Sequence, residues 1–148
     1  MKPPIAVEVT IIDPPVMMGK PCNLKVVVRN TGDSAVTVNS RLAVGYKNSL
    51  ARELFAELTD AATNNPAPYY ESDINRDFSG PGDYKVLQPG ASVSTTFDLY
   101  EYYNPMKSGK YRLIISYQAD EPLATVPEST MRGVFVSDPI ELNILPAP

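Results

Sequence analysis

Apolar and polar residues alternate over several short stretches of this chain. In the segment 5–12, Val7, Val9 and Ile11 alternate with smaller or more polar residues, and a period of two is typical of a half-buried β-strand. The same alternation, or a short apolar run between turn residues, predicts further strands at 22–29, 35–38, 41–46, 83–87, 93–99, 110–118, 134–136 and 140–144.

Turns rich in proline and glycine separate these strands. The chain has 15 prolines in 148 residues, a share that favours short strands joined by turns. In the turn Asn30-Thr31-Gly32-Asp33, Gly32 can adopt a positive φ. After this turn, 35–38 and 41–46 are interpreted as the returning strand or strands.

Two segments depart from the pattern. The segment 49–58 fits a helix, but its residues Leu54, Ala56 and Leu58 also fit a strand, and so short a run leaves both alternatives open. The segment 59–82 is polar and rich in Asn, Pro and Gly, which predicts an irregular insertion.

The number and spacing of the strands indicate the fold class. About eight strands with turn signals every 8–12 residues predict an all-β fold, a single antiparallel immunoglobulin-like β-sandwich of about 7–9 strands. One domain accounts for residues 1–148, with its core over about 4–145, the insertion at about 59–82 and a stiff proline-rich end at 146–148.

Composition excludes several kinds of chemistry. The sequence contains no histidine and one cysteine. Without histidine there is no Ser-His-Asp or Cys-His nucleophile pair and no H-E-x-x-H zinc site, and one cysteine cannot form a disulfide within the chain or a cysteine-ligated metal site. We therefore predict a protein without catalytic activity and without a cofactor.

Charge and hydropathy limit the kinds of molecule that this protein is expected to bind. The formal net charge is −4, which argues against binding to the phosphates of nucleic acids. No apolar stretch is long enough for a membrane span, so membrane insertion is not expected. The N-terminus shows no signal peptide, which leaves two alternatives: a cytoplasmic protein, or an exported one whose signal has been removed.

Two motifs in the second half of the chain carry structural information. An L-x-P-G turn at 87–90 precedes a strand, and a G-x-Y sequence at 109–111 opens a later one. In immunoglobulin-like sandwiches a tyrosine in that place forms the tyrosine corner, in which its hydroxyl bonds to upstream backbone. We assign structural roles to Leu87, Pro89, Gly90, Leu99 and Tyr111.

The same region resembles a known family. The shared features between Tyr70 and Tyr117 are Arg76, Pro81, Asp83-Tyr84, the two motifs, Asp98-Leu99 and Tyr103. In order and spacing they are similar to the non-catalytic β-domain that precedes the catalytic domain in deuterolysin-like (aspzincin) metallopeptidases, over about a third of the chain. The resemblance implies the fold and a peptidase-associated accessory role. It does not imply peptidase activity, because the zinc site of the peptidase half is absent from this sequence.

Tyrosines are concentrated on two predicted loops. Tyr69 and Tyr70 lie on one, and Tyr100 and Tyr102 on the other. Tyrosine gives a binding loop a large amphipathic area at little cost in rotamer entropy, so these four residues are candidate binding residues. The alternative is that they cover the end of the sandwich.

Two further segments are candidate sites. Asp73, Asn75 and Asp77 match the first half of a calcium loop, although Phe78 and Tyr84 stand where its glycine and bidentate glutamate belong. The proline-framed segment 121–128, with Leu123 and Thr125, is a candidate protease-binding loop. Intracellular proteinase inhibitors of the Bacillus type share a looser version of the two motifs.

Two reactive side chains are expected to be structural. Cys22 alternates with apolar residues of its strand and should face the core as inert packing. Asp98 follows a strand and should cap a turn.

Taken together, these features predict a non-catalytic accessory or protein-interaction module, which binds another protein or a companion domain through loops at one end or through an exposed sheet edge. The alternatives are a proteinase inhibitor and a calcium-stabilised domain of a larger exported protein.

Overall fold

The computed structural model describes residues 4–45, 52–69, 81–105, 107–118 and 130–148. Within these ranges the chain forms ten β-strands and two single-turn 3₁₀ helices, at Pro81–Asp83 and Leu99–Glu101. The strands are β1 (Ile5–Ile11), β2 (Asn23–Asn30), β3 (Val36–Asn39), β4 (Val44–Gly45), β5 (Leu54–Asp60), β6 (Tyr84–Leu87), β7 (Ser92–Asp98), β8 (Gly109–Gln118), β9 (Val134–Val136) and β10 (Ile140–Ile144).

The strands form three sheets. One has the order β1-β2-β7 and another the order β10-β8-β5-β4, with β9 paired to the same β8; β3 and β6 form a separate pair. All pairs are antiparallel except β4 with β5. Placing β1, β2 and β7 in one sheet and β5, β8 and β10 in the other is the arrangement of an immunoglobulin-like sandwich, and the predicted all-β fold is confirmed.

The core lies between the two larger sheets. Side chains of both contribute to one buried hydrophobic cluster, because every second residue of each long strand points inward. On β2 these are Leu24, Val26 and Val28, and on β8 they include Leu113 and Ile115, all fully buried. The alternation predicted from the sequence at 5–12, 22–29 and 110–118 is thus the burial pattern of β1, β2 and β8.

Within the described part of the ambiguous segment 49–58, residues 54–58 belong to a strand. β5 pairs antiparallel with β8, and this pairing buries Leu54, Ala56 and Leu58 on the core side. β5 continues to Asp60, two residues into the stretch predicted as an insertion. The remainder of that stretch is irregular over 61–69.

The strand predicted at 35–38 is present as β3, but it does not return along β2, because β2 pairs with β1 and β7 whereas β3 pairs with β6. The buried Asn30 side chain accounts for the change of direction. Its Nδ2 donates to the carbonyl oxygens of Ser34 and Leu87, and its Oδ1 accepts from the Gly32 backbone N–H. Gly32 does not adopt the positive φ considered from the sequence, since the Asn30 amide already closes this turn.

The L-x-P-G motif forms the turn between β6 and β7. The Ala91 N–H donates to the Gln88 carbonyl at 2.9 Å, and Gly90 has a φ of 84°, as in a type II turn with proline and glycine at its central positions. Leu87 is buried, whereas Pro89 is exposed. The turn is attached to β2 by a bond of 2.8 Å from the Gly90 N–H to the Asn30 carbonyl.

The C-terminal residues follow β10 along an earlier segment. Leu145 pairs in parallel with Met17, and residues 146–148 are exposed. In the part of the chain that the structure describes, no helix is long and apolar enough to cross a membrane.

Candidate interaction site

The short strand β9 presents apolar side chains to solvent. Its central residue, Phe135, points inward, and its ring lies 6.5 Å from that of Tyr117 at an interplanar angle of 31°. The flanking Val134 and Val136 therefore point outward, and they are 56% and 60% exposed. Three consecutive apolar residues on a strand place two of them on one face and one on the other.

The strand register places two half-buried apolar side chains on the same face of the sheet as these valines, with the polar Ser116 and Gln118 also on that face. Val136 lies opposite Ser116 on β8, which in turn lies opposite Phe55 on β5. Because residues opposite each other share a face, Phe55 and Val136 are on the outer side, as is the half-buried Ile114. We call Phe55, Ile114, Val134 and Val136 the outer apolar face.

The backbone of β9 is bonded on one side. The Ser137 N–H donates to the Ile115 carbonyl, and the Gln118 N–H donates away from β9, to the Glu53 carbonyl. Hydrogen-bonded and non-bonded pairs alternate along antiparallel strands, so Phe135 and Tyr117 form the bonded pair. The N–H and C=O groups of Val134 and Val136 consequently point away from β8.

Two features fix the position of β9. Phe135 packs on the core, and the buried Ser137 closes the strand with two bonds to Ile115: its backbone N–H donates to the Ile115 carbonyl at 2.8 Å, and its Oγ accepts from the Ile115 N–H at 2.9 Å. The strand is thus held in place while its outer edge stays unpaired among the described residues. β1 of the other sheet is in contact with β9.

Charges flank β9 without interrupting it. The three residues of the strand are uncharged, while the exposed Arg132 precedes it and the exposed Asp138 follows it. The outer edges of β1 and β7 differ from this, since their solvent-facing side chains are Glu8, Thr10, Ser94 and similar polar residues. Polar or charged side chains are a common means by which edge strands avoid unwanted pairing, and β9 does not have them.

Of the three predicted binding tyrosines that the structure describes, Tyr69 is the most exposed, at 54%. It pairs by a β-bridge with Tyr103, and the two rings meet edge to face at 6.4 Å. Tyr103 itself is buried and donates from its hydroxyl to the Ala56 carbonyl at 2.6 Å. Tyr70 lies outside the described residues.

The other two tyrosines are half-buried. The Tyr100 hydroxyl donates to the Met17 carbonyl at 3.1 Å, and burial, with smaller contributions from Cys22 and Asp98, raises the pKa of Tyr100 to about 12. The ring of Tyr102 meets that of Phe97 edge to face at 5.8 Å. Both side chains pack on the sandwich and are less exposed than Tyr69.

Leu99 and Tyr111 are two of the residues to which we assigned structural roles, and both are buried. Leu99 is fully buried, and the Tyr111 hydroxyl donates to the Lys107 carbonyl at 2.9 Å, four residues upstream. Burial, with a smaller contribution from the Asp60 charge, raises the pKa of Tyr111.

Asp98 joins two parts of the backbone. Its Oδ1 accepts from the backbone N–H groups of Cys22 and Tyr100, at 2.9 and 3.0 Å, so that it caps the 3₁₀ helix Leu99–Glu101. The Cys22 thiol is buried, and burial, with a smaller contribution from the Asp98 charge, raises its pKa to about 11. A thiol with such a pKa is almost entirely protonated at neutral pH and is a poor nucleophile.

An open cleft of about 380 Å³ lies at the end of β5 and the start of β8 and is lined by 60–62 and 107–111. Its charged groups are in ion pairs, since Lys107 Nζ lies 3.4 Å from Asp60 Oδ2 and Lys110 Nζ lies 3.7 Å from Glu141 Oε1. A hydrogen bond from the Ala62 backbone N–H, followed by the smaller effect of Lys107, lowers the pKa of Asp60.

The remaining candidate residues lie outside the described ranges: Asp73, Asn75 and Asp77 of the calcium motif, and Leu123 and Thr125 of the protease-binding segment. Within the described ranges, no group of three potential ligands among cysteine and acidic side chains comes together to hold a metal ion.

No family model matches this chain, and no curated protein matches it.

The sequence prediction places a strand at 134–136 but does not identify it as an exposed edge. A signal for the edge is present in the sequence, because the run Val134-Phe135-Val136 is apolar without alternation. On a strand with one buried face, such a run must expose apolar side chains.

Proposed function

We propose that this chain is a non-catalytic protein-interaction module with an immunoglobulin-like fold, and that it binds through the edge of β9. The observation that carries the proposal is the combination of two exposed valines with outward-pointing backbone groups on one fixed strand. Exposed edge strands accept an additional strand from a partner, in which backbone hydrogen bonds give affinity and alternate side chains give specificity.

The chemistry of this edge favours an extended polypeptide. A strand laid along β9 would receive hydrogen bonds from Val134 and Val136 and would cover their side chains on the outer apolar face. The net charge of −4 disfavours a nucleic acid partner. Clustered apolar exposure of this kind is typical of a surface that binds another protein.

The sequence resemblance to the accessory domain of deuterolysin-like peptidases suggests the class of partner. It supports association with a peptidase or with another companion domain. The support rests on Leu87, Pro89, Gly90, Leu99 and Tyr111 and on the spacing between them.

Peptide selection tests the proposed site. We expect extended peptides selected from a display library on the wild-type protein to bind at least about tenfold more weakly to Val136→Lys, because the lysine places a charge on the apolar face. Val86→Lys is the matched control, since Val86 is 57% exposed on a different strand, β6. Equal binding to both variants, or failure to select any peptide, would contradict the proposal.

The proposal that the chain is non-catalytic has a separate test. A mixture of unfolded proteins incubated with the purified chain should show no new cleavage products by mass spectrometry. Cleavage that persists through repeated purification and copurifies with this chain would contradict it.

A further inference from the structure

We propose that two copies of this chain form an antiparallel dimer through β7, the strand at one edge of the three-stranded sheet. Among the described residues, β7 pairs with β2 alone. β9 belongs to the other sheet, so this inference goes beyond the proposed function and is tested separately from it.

The hydrogen bonds to β2 show which backbone groups of β7 are free. The Leu99 N–H donates to the Cys22 carbonyl at 2.9 Å. At the other end, the Asn30 N–H donates to the Ala91 carbonyl, also at 2.9 Å. Bonded and non-bonded pairs alternate along antiparallel strands, so the odd-numbered residues of β7 bond to β2. The N–H and C=O groups of the even-numbered residues within 92–98 therefore point away from β2, towards the open edge.

The ends of β7 leave one register in which the whole strand is used. The turn at 88–91 precedes β7, and the 3₁₀ helix Leu99–Glu101 follows it. A two-fold axis at the central residue, Thr95, pairs all seven residues of each copy, whereas sliding the partner by two residues would leave two residues of each β7 unpaired. With this axis, Ser94 of each copy faces Thr96 of the other. The outward backbone groups then form the hydrogen-bonded pairs of an antiparallel ladder.

The outer-face side chains of β7 are complementary to themselves in this register. The exposed hydroxyls of Ser94 and Thr96 meet across the axis, and such pairs stabilise a strand pairing by hydrogen bonding. At each end, Ser92 of one copy faces Asp98 of the other. Asp98 uses Oδ1 for both of its backbone bonds, so its Oδ2 can accept from the Ser92 hydroxyl. The two Asp98 charges lie at opposite ends of the ladder and do not repel each other.

The inner face of β7 is less buried than the inner face of β2, although both face the same core. Val93, Thr95 and Phe97 are half-buried, whereas the residues opposite them on β2 are fully buried. In the dimer Val93 faces Phe97 of the other copy, and Thr95 faces Thr95. Aromatic with β-branched and threonine with threonine are favourable cross-strand pairs. Because the symmetric pairs match on both faces, a second β7 is the occupant that this edge fits, and the interface is isologous.

The length of the ladder sets the strength expected of the dimer. One pair of seven-residue strands belongs to the smallest class of specific interfaces, so we expect a reversible dimer that forms at about 10–500 µM. Sedimentation velocity over this range should show the wild-type chain shifting from monomer to dimer. A chain that stays monomeric throughout would overturn the inference.

Complementary charge variants test the register. Ser94→Glu/Thr96→Glu places acids opposite acids, and Ser94→Lys/Thr96→Lys places lysines opposite lysines, so each should weaken self-association about tenfold or more. A mixture of the two should form a heterodimer at least as tight as the wild-type dimer. The matched control is Thr10→Glu, since Thr10 is exposed on the same face, in the row of Thr96 but on β1.

The control variant should dimerise as the wild type does, and thermal unfolding of every variant checks that the fold is retained. A dimer that both double variants form as well as the wild type would contradict the proposed interface. So would a mixture of folded double variants that gives no heterodimer.

Disulfide trapping provides an independent measurement. Non-bonded pairs of antiparallel strands have a Cα separation of about 4.5 Å, which lies within the range of a disulfide. Thr95 faces itself across the axis, so Thr95→Cys should crosslink to a covalent dimer under mild oxidation. Val93→Cys is the control, because Val93 faces Phe97 and should crosslink more slowly. The buried Cys22 is common to both variants. Equal rates in the two variants would refute the register.

One further variant separates this inference from the proposed function. Val136→Lys changes β9 in the other sheet and should leave dimerisation unchanged, whatever it does to peptide binding. Conversely, Ser94→Glu/Thr96→Glu should lose the dimer and keep the selected peptides. Loss of the dimer in Val136→Lys would place the interface at β9 and overturn the inference.

Discussion

The rings of Phe135 and Tyr117 lie 6.5 Å apart with 31° between their planes, and this contact fixes the edge strand β9 on the core. Tyr117 is fully buried, and its hydroxyl oxygen accepts a hydrogen bond from the Asn39 backbone N–H at 2.8 Å. The pair therefore connects β9, β8 and β3. Because Phe135 occupies the inward position, its two valine neighbours must point outward.

Removal of the Phe135 ring should destabilise the protein. We expect Phe135→Ala to lower the free energy of unfolding by about 1–3 kcal/mol, less than for a fully buried phenylalanine because Phe135 is half-buried. Val136→Ala, a change on the exposed side of the same strand, should have an effect within about 0.5 kcal/mol. Urea unfolding measures both, and equal losses in the two variants would contradict the assigned orientation of β9.

The ion pair between Arg41 and Glu53 should be important for the stability of the fold, because the Glu53 carboxylate is buried. Glu53 is almost fully buried, and its carboxylate accepts from Arg41 Nε at 2.8 Å, from Arg41 Nη2 at 2.6 Å and from the Ala43 N–H at 3.1 Å. Arg41→Ala leaves a buried carboxylate without its cation, which costs about 3–5 kcal/mol.

The double variant of this pair provides the control. Arg41→Met/Glu53→Leu removes both charges and should recover a large part of the lost stability, because two apolar side chains carry no uncompensated charge. If Arg41→Ala proved no more destabilising than the exposed Arg29→Ala, whose partner Glu8 is also exposed, the importance of the buried pair would be refuted.

The turn between β6 and β7 should be sensitive to the loss of one glycine. Gly90 has a φ of 84°, and no atom lies within 4 Å of the position that a Cβ would occupy, so the cost of Gly90→Ala comes from backbone conformation alone, about 1 kcal/mol. Gly82 also has open space but no positive φ, so Gly82→Ala should be neutral or slightly stabilising. Thermal unfolding measures the stability of the two variants. A loss of stability in Gly82→Ala equal to that in Gly90→Ala would contradict this explanation.

Stability should fall in alkaline solution through Cys22. Its pKa rises from 9.0 to about 11 on folding, first because of burial and then because of the Asp98 charge. Between these values the unfolded chain has lost the thiol proton and the folded chain keeps it, so the stabilising contribution is complete below pH 9 and is lost as the pH rises towards 11.

Comparison with Cys22→Ala isolates this effect, because alanine does not titrate. Over pH 9–11 the free energy of unfolding should decline more steeply for the wild type than for the variant, although Tyr100, whose pKa is also raised by burial, contributes to the decline in both. Parallel pH profiles would show that the Cys22 thiol does not titrate differently in the two states.

Much of the fold is predictable because strands with one buried face can be recognised by their period. The inward residues of β1, β2 and β8 follow directly from the sequence, as does the glycine turn at 88–91. The pairing of the strands is harder to predict from the sequence, since nothing in 36–39 indicates that β3 will pair with β6 and not with β2. That choice depends on the Asn30 amide, which bonds to groups 4 and 57 residues away.

The candidate site is harder to predict for a related reason. The apolar run at 134–136 identifies a strand, but only the register with β8 shows that two valines and a half-buried phenylalanine of β5 share one face. The tyrosines illustrate the converse case. Their clustering in sequence suggests a binding surface, whereas the hydroxyls of Tyr100 and Tyr103 bond to backbone carbonyls of the protein itself.

The central position of β8 has a consequence for synthesis of the chain. This ten-residue strand pairs with β5 on one side and with both β9 and β10 on the other, and the latter two follow it along the chain. Until a ribosome has added β9 and β10, β8 has one unpaired edge, and such edges are prone to aggregation. Synthesis of β9 and β10 therefore ends the period in which this edge of β8 is exposed.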